Sequence, residues 1–127
     1  MTKKYEVGQK IDKPWGYEKI LSMSSGRGGY AYKMLYIKGG HRLSKQYHEK
    51  KEETIFVKNG IFHLEISGTI KKPEDTKIMR LVPGMHYHIK PGTIHRFTAK
   101  ETAVELLEVS TKQLDDVIRL EDDFGRE

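Results

Sequence analysis

The chain has 127 residues, the size of one compact domain spanning 1–127 at roughly 100–200 residues per domain, which leaves no room for a two-domain enzyme. Hydrophobic residues make up 36% and charged residues 32%, with one Trp, seven Tyr and four Phe; this is too aromatic for a disordered tail, and no run of about 18 apolar residues exists to span a bilayer. Lys and Arg outnumber Asp and Glu by 23 to 18, there is no Cys, and any metal must therefore be held by His, carboxylate or amide groups.

The start, MTKKYEVG, carries charge without the apolar segment of a secretion signal, so a cytoplasmic location is expected. Basic residues are scattered. Lys50-Lys51 and Lys71-Lys72 are each followed by acids, the pattern of solvated turns, so neither nucleic acid nor membrane is the expected partner and a small anionic ligand is the better use of the excess charge.

In chain order, short apolar-rich runs recur about every eight to twelve residues between Gly, Pro, Asn and Asp, the rhythm of an all-β protein. Strands are predicted at 15–21, 30–38, 43–48, 54–58, 61–67, 77–82, 86–89, 94–98 and 103–109. Asn59-Gly60 reads as a type I′ hairpin turn joining 54–58 to 61–67, because that turn needs positive φ at both central residues. Residues 24–29 and 71–75 read as loops, and 114–127, acidic and aperiodic, as an extended tail or short turn wrapping the barrel. An open sheet of so many short strands would leave long unpaired edges, so the predicted fold is a closed jelly-roll β-barrel with an irregular C-terminal tail.

Gln46 and His48 are two apart; in a strand both side chains share a face, and Glu53, opening the next strand, can return to meet them. Further on, the turn Lys90-Pro91-Gly92-Thr93-Ile94 delivers His95 to the start of a strand. The spacing Gly40, Gln46, His48, Glu53, Gly60 (residues 40–60) resembles the first cupin motif, with Gln in place of its usual first His. Gly84, Gly92 and His95 (residues 84–99) resemble the second, with Pro91 one residue later than usual and Ala99 where Asn is usual. Lys13-Pro14-Trp15-Gly16, Leu43-Ser44-Lys45-Gln46-Tyr47-His48, Asp115-Asp116-Val117-Ile118-Arg119 and Glu121-Asp122-Asp123-Phe124-Gly125-Arg126 carry the likeness further. Across residues 13–126 the chain resembles the cupin domain of type II mannose-6-phosphate isomerases, a domain often fused behind a mannose-1-phosphate guanylyltransferase for which this chain is too short. Two departures stand out: Glu49 and Lys50 replace further His residues, and Lys45 replaces Leu, though alternation puts Lys45 on the face opposite Gln46 and His48.

The resemblance implies one divalent ion on Gln46, His48, Glu53 and His95, with Zn²⁺ ahead of Mn²⁺, Fe²⁺, Co²⁺ and Ni²⁺, among which an N/O ligand set alone does not choose. It implies reversible interconversion of mannose 6-phosphate and fructose 6-phosphate through an enediol. Arg126 is then expected to bend back to the pocket as the catalytic electrophile or the phosphate partner, with Lys33 a second candidate for substrate binding. The proton-shuttling base stays open: Glu105 and Glu108 fall on opposite faces of one strand, so at most one points inward. A non-catalytic sugar- or sugar-nucleotide-binding cupin, or another metal-dependent cupin enzyme, would keep the same barrel.

The remaining candidates have plainer readings. His86 and His88 share a strand face and form an alternative metal pair outside the expected ligand set, His63 is expected to face solvent, and His41 lies in a loop. Trp15, Tyr30, Tyr32 and Tyr36 are expected to pack rather than stack on a sugar. The alternation of residues 30–37 and 54–57 supplies more apolar strand faces than one small interior needs, so a homodimer through a sheet face is expected.

Overall fold

The computed structural model describes residues 5–24, 26–72 and 75–126. Residues 1–4, Ser25 and Pro73-Glu74 of the predicted loops, and Glu127 of the tail lie outside them. Among the described residues there is no helix. The chain forms β1 (Lys10–Lys13), β2 (Gly16–Met23), β3 (Ala31–Ile37), β4 (His41–Arg42), β5 (Lys45–Tyr47), β6 (Glu53–Asn59), β7 (Phe62–Thr69), β8 (Lys77–Leu81), β9 (His86–Ile89), β10 (Thr93–Ala99), β11 (Val104–Ser110) and β12 (Ile118–Glu121). One antiparallel sheet runs β1-β2-β3-β11-β6-β9 and the other β12-β5-β10-β7-β8, with β4 also on β10, the two-layer jelly roll the pattern predicts.

Period-two alternation builds the interior. In β3, Ala31, Lys33, Leu35 and Ile37 are buried while Tyr32, Met34 and Tyr36 stand half-buried on the other face. Leu35, Ile37, Ile55, Val57 and Leu106 of the first sheet meet Phe62, Leu64 and Phe97 of the second in one core, where Phe62 and Phe97 pack edge to face with centroids 5.2 Å apart. Trp15 is buried in this core, as the packing reading expects, and Tyr36 stacks on Tyr17 at 5.2 Å.

Asn59-Gly60 is not a hairpin turn. β6 belongs to the first sheet and β7 to the second, so the turn hands the chain from layer to layer. Gly60 has φ +85° while no described non-glycine residue has positive φ, which excludes the type I′ turn that would require it at Asn59 as well. Gly60 is needed for close approach instead: a Cβ there would lie 2.3 Å from the Ala103 carbonyl oxygen. β1 and β12 are strands the sequence pattern did not predict. β1 is mostly polar and β12 alternates only two apolar residues, Ile118 and Leu120, too short a run to stand out; neighbours create both, β1 pairing with β2 and β12 with β5 through Ile118↔Tyr47 and Arg119↔Gln46.

This pairing assembles the site. Across the second sheet Arg119, Gln46 and His95 are successive register partners, and across the first Glu108 is the partner of Lys33. Partnered residues point to the same side of a sheet, so both rows face the space between the layers.

Candidate metal centre

Glu53 opens β6 in the first sheet, His95 sits on β10 in the second, and His48 follows β5. His48 Nε2 lies 3.1 Å and His95 Nε2 3.6 Å from Glu53 Oε1. Each ring's other nitrogen faces a backbone carbonyl, His48 Nδ1 on Asp116 at 2.5 Å and His95 Nδ1 on Thr93 at 2.8 Å. With Nδ1–H donating to those carbonyls, both Nε2 lone pairs turn toward the same carboxylate. Three acceptors then converge, with ligand atoms all within 4.8 Å of one another. His95 is 1% and Glu53 2% exposed, and His95 Nε2 and Glu53 Oε2 have no hydrogen-bond partner. Buried acceptors left so cost about 1–3 kcal/mol each, and a divalent cation among them removes that cost. Burial pushes the His95 ring down to about 4, so at neutral pH it is in the uncharged form that ligates. Burial alone would raise Glu53, but the Lys51 ammonium, the hydrogen bonds with His48 and Glu108 and the nearby His95 ring together outweigh it and hold the carboxyl well below its ordinary value. The donor set thus fits a divalent metal.

Behind the triad lies a buried chain of alternating charges. Lys51 Nζ stands 3.2 Å from Glu108 Oε2 and 3.8 Å from Glu53 Oε2, while Lys33 Nζ stands 3.5 Å from Glu108 Oε2 and 2.7 Å from Glu18 Oε1. Burial and the adjacent Glu53 carboxylate push Glu108 up, against the two lysines. Burial would lower Lys33, but Glu108 and Glu18 outweigh it and push the ammonium up. The parity question is settled by β11: Glu108 faces in, whereas Glu105 accepts a hydrogen bond from Asn59 on the outer side.

The C-terminal segment closes over this end of the barrel. Asp116 accepts backbone N–H groups from Glu49 (3.1 Å), Lys50 (2.7 Å) and Lys51 (2.8 Å). Arg126 lines the cavity, with its guanidinium forked on Asp122 through Nε–H (2.8 Å) and Nη2–H (3.0 Å) and lying 5.7 Å from the Phe124 ring centre. These hydrogen bonds draw the Asp122 carboxyl down to about 2.

Gln46, His48, Glu53, His95, Lys33 and Arg126, the six site residues expected from sequence, all line one cavity of about 90 Å³, room for several water-sized groups. Lys33 meets it from the floor, already paired with two carboxylates. Lys45 turns away to Glu65 (3.9 Å) and Glu121 (3.7 Å). His86 and His88 are exposed, with His88 against Glu52 at 2.5 Å, so they stand apart from the triad. His63, expected to face solvent, is only half exposed. Lys51 is the site residue that composition hides in a turn. Its even spacing from Glu53 is the signal that would have found it, since residues two apart in an extended chain share a face.

The family profile described as mannose-6-phosphate isomerase C-terminal matches residues 1–122. The chain belongs to this family. The cupin is 29% identical over 121 residues to the alginate biosynthesis protein AlgA of Pseudomonas aeruginosa, covering 92% of this chain and 23% of that protein. It is 30% identical over 126 residues to the mannose-1-phosphate guanylyltransferase ManC of Salmonella typhimurium, covering 96% and 24%. It therefore spans about a quarter of the length of these curated relatives. Among solved structures, the capsular polysaccharide assembling protein CapF of Staphylococcus aureus superposes with TM-score 0.77 at 15% identity, over 92% of this chain and 33% of that one. KdgF from Halomonas sp. superposes with TM-score 0.69 at 19% identity, over 84% and 90%. A cupin-2 domain from Rhodospirillum rubrum does so with TM-score 0.68 at 13%, over 82% and 64%. These likenesses show the cupin fold.

Proposed function

We propose that this isomerase-family cupin interconverts mannose 6-phosphate and fructose 6-phosphate, with one divalent ion, Zn²⁺ first, held by His48, Glu53 and His95 and completed by Gln46. The observation that carries the reading is the convergence of ligand atoms of His48, Glu53 and His95, with His95 Nε2 and Glu53 Oε2 buried and lacking a hydrogen-bond partner, in the cavity that Arg126 and Glu108 also line. Such an ion supplies Lewis-acid stabilisation of negative charge on oxygen.

The chain's own residues supply the rest. In the forward direction the C2 proton leaves and is returned at C1, while the O2 hydroxyl proton passes to O1 and the carbonyl moves from C1 to C2. Glu108, inside the cavity with Lys33 and Lys51 on its Oε2, is the carboxylate placed to take and return the carbon-bound proton. The Arg126 guanidinium, held on Asp122 through Nε–H and Nη2–H, would meet the substrate's anionic oxygens with its remaining N–H groups. Lys33 would meet a phosphate only in competition with Glu18 and Glu108, so its part in substrate binding is to hold those carboxylates and temper their charge. The partners under this reading are a small sugar phosphate and a second copy of the chain, in the cytoplasm; no helix of the described residues is long and apolar enough to cross a membrane.

The test is to strip the protein with a chelator, reload it with Zn²⁺, Mn²⁺, Fe²⁺, Co²⁺ or Ni²⁺ in turn, and assay ketose formation from mannose 6-phosphate and glucose 6-phosphate. Turnover of mannose 6-phosphate restored by metal is expected. Retained sugar-phosphate binding without turnover under every metal would make the protein a binding cupin instead.

A further inference from the structure

Resting on the reading of His48, Glu53 and His95 as metal ligands, we infer that Asp116 is a positioning residue of the centre, its carboxylate gathering the turn between two ligands while its own carbonyl fixes the ring of one. His48 directly follows β5 of the second sheet and Glu53 opens β6 of the first, and only residues 49–52 join them. The shape of that turn therefore sets how closely the two ligands approach.

Its amides at Glu49, Lys50 and Lys51 belong to no strand, and all three donate to the one Asp116 carboxylate, Glu49 to Oδ1 and the other two to Oδ2. The turn is thereby held in one shape by a residue 65 to 67 positions away in sequence. The same residue's carbonyl receives His48 Nδ1 at 2.5 Å, which selects the tautomer and angle that aim Nε2 at Glu53. Asp116 is itself fixed in place, because β12 begins two residues later and pairs with β5. A hydrogen-bond partner behind a metal-ligating imidazole typically changes metal affinity 10–100-fold; Asp116 combines that role with control of the second ligand's approach. It touches neither substrate nor reacting atoms, so it acts only through His48, Lys51 and Glu53. By linkage, metal on the triad stabilises the docked tail by the same factor that the docked tail lends the metal.

The experiment is a Zn²⁺ titration of the full chain in competition with a chromophoric chelator. Wild type is expected to take up one equivalent, Asp116→Ala to bind about 10–100-fold more weakly, and Asp116→Asn, which turns one acceptor into a donor facing those amides, to bind several-fold more weakly. Asp123→Ala loosens the same tail through Arg42 and Arg96 without touching the turn; it should lower the melting temperature and leave Zn²⁺ affinity within about twofold of wild type. Unchanged affinity in Asp116→Ala or Asp116→Asn overturns the inference, as does equal weakening by Asp123→Ala. If Asp116→Ala does not fold, Asp116→Asn decides, together with amide exchange at Glu49, Lys50 and Lys51 of the wild type, which Zn²⁺ should slow and which must not stay unchanged. Failure of the wild type to bind one equivalent would instead overturn the metal reading beneath it.

Discussion

At the residue scale the centre is set by what each side chain lacks. Two Nε2 atoms face one carboxylate with their Nδ1 positions already committed to carbonyls, so removing either imidazole leaves too few donors to hold an ion. His48→Ala and His95→Ala are each expected to abolish stoichiometric divalent-metal binding, and His86→Ala to leave it intact. Elemental analysis checks this; full metal in the His48 variant with loss in the His86 variant would move the site. Lys51 makes a second case. It is the cation between Glu53 and Glu108, and removing one partner from buried ion pairs costs about 3–5 kcal/mol because it strands the others. Lys51→Met should therefore lower unfolding free energy by about that much, measured by urea unfolding of the metal-free protein, whereas Lys50→Met should change it little; equal effects would show Lys51 to be the solvated turn residue its composition suggests. That Gln46 and His48 face one cavity was legible because period two fixes the side they share. Lys51 was not, because a Lys-Lys-Glu-Glu run has the composition of a solvated turn and only its parity with Glu53 says otherwise.

At the element scale the C-terminal segment shows what apolar patterning cannot read. Residues 121–123 are all acidic and are told apart only by their partners: Asp122 pairs with Arg126, Glu121 with Lys45 and Arg96, and Asp123 with Arg42 and Arg96. β12, with only Ile118 and Leu120 as apolar residues, is likewise placed by its pairing with β5, while the sequence around it reads as an acidic tail. The Asp122–Arg126 fork has a pH signature. The folded carboxyl titrates at about 2, below its ordinary 3.8, so the folded state holds this proton more weakly than the unfolded chain. The pair's stabilisation is fully present above about pH 4.5 and is lost as pH falls toward 2. The difference in unfolding free energy between wild type and Arg126→Ala should be constant from pH 7 to about 4.5 and shrink below it; a difference of equal size at pH 2.5 and pH 7 would show that the fork contributes nothing. In turnover, a forked guanidinium serving developing negative charge is worth roughly a hundredfold, and a point charge on a flexible stem does not replace it. Arg126→Ala and Arg126→Lys should both lose most isomerase activity while keeping the metal, and wild-type-like rates in either would remove Arg126 from the chemistry.

At the scale of the whole molecule, closure of the two sheets overrides local turn chemistry. Asn59-Gly60 has the dipeptide of a hairpin, yet β6 finds its partners in β11 and β9 and β7 in β10 and β8, because burying both apolar faces against each other outweighs one turn's preference. The jelly roll was legible from strand rhythm and edge avoidance; the pairing order was not, since it is decided by contacts between strands far apart in sequence. The same closure leaves one face unspent. On the outside of the first sheet, Phe56, Leu107 and Met34 form one row of register partners, and Thr54, Val109 and Tyr32 the next, with Phe56 41% and Val109 47% exposed. Two adjacent, largely apolar rows on one sheet face make a patch that a twofold axis can bury against its own copy. Light scattering at micromolar concentration is therefore expected to give about twice the chain mass of 14.7 kDa. Phe56→Glu, which sets a charge at one end of the first row, should return the mass to that of one chain and leave metal stoichiometry at one ion per chain, because Glu53 of the triad points to the opposite side of the sheet. A wild-type mass of a single chain, or a dimer that Phe56→Glu leaves intact, would show that this face is not where two copies meet.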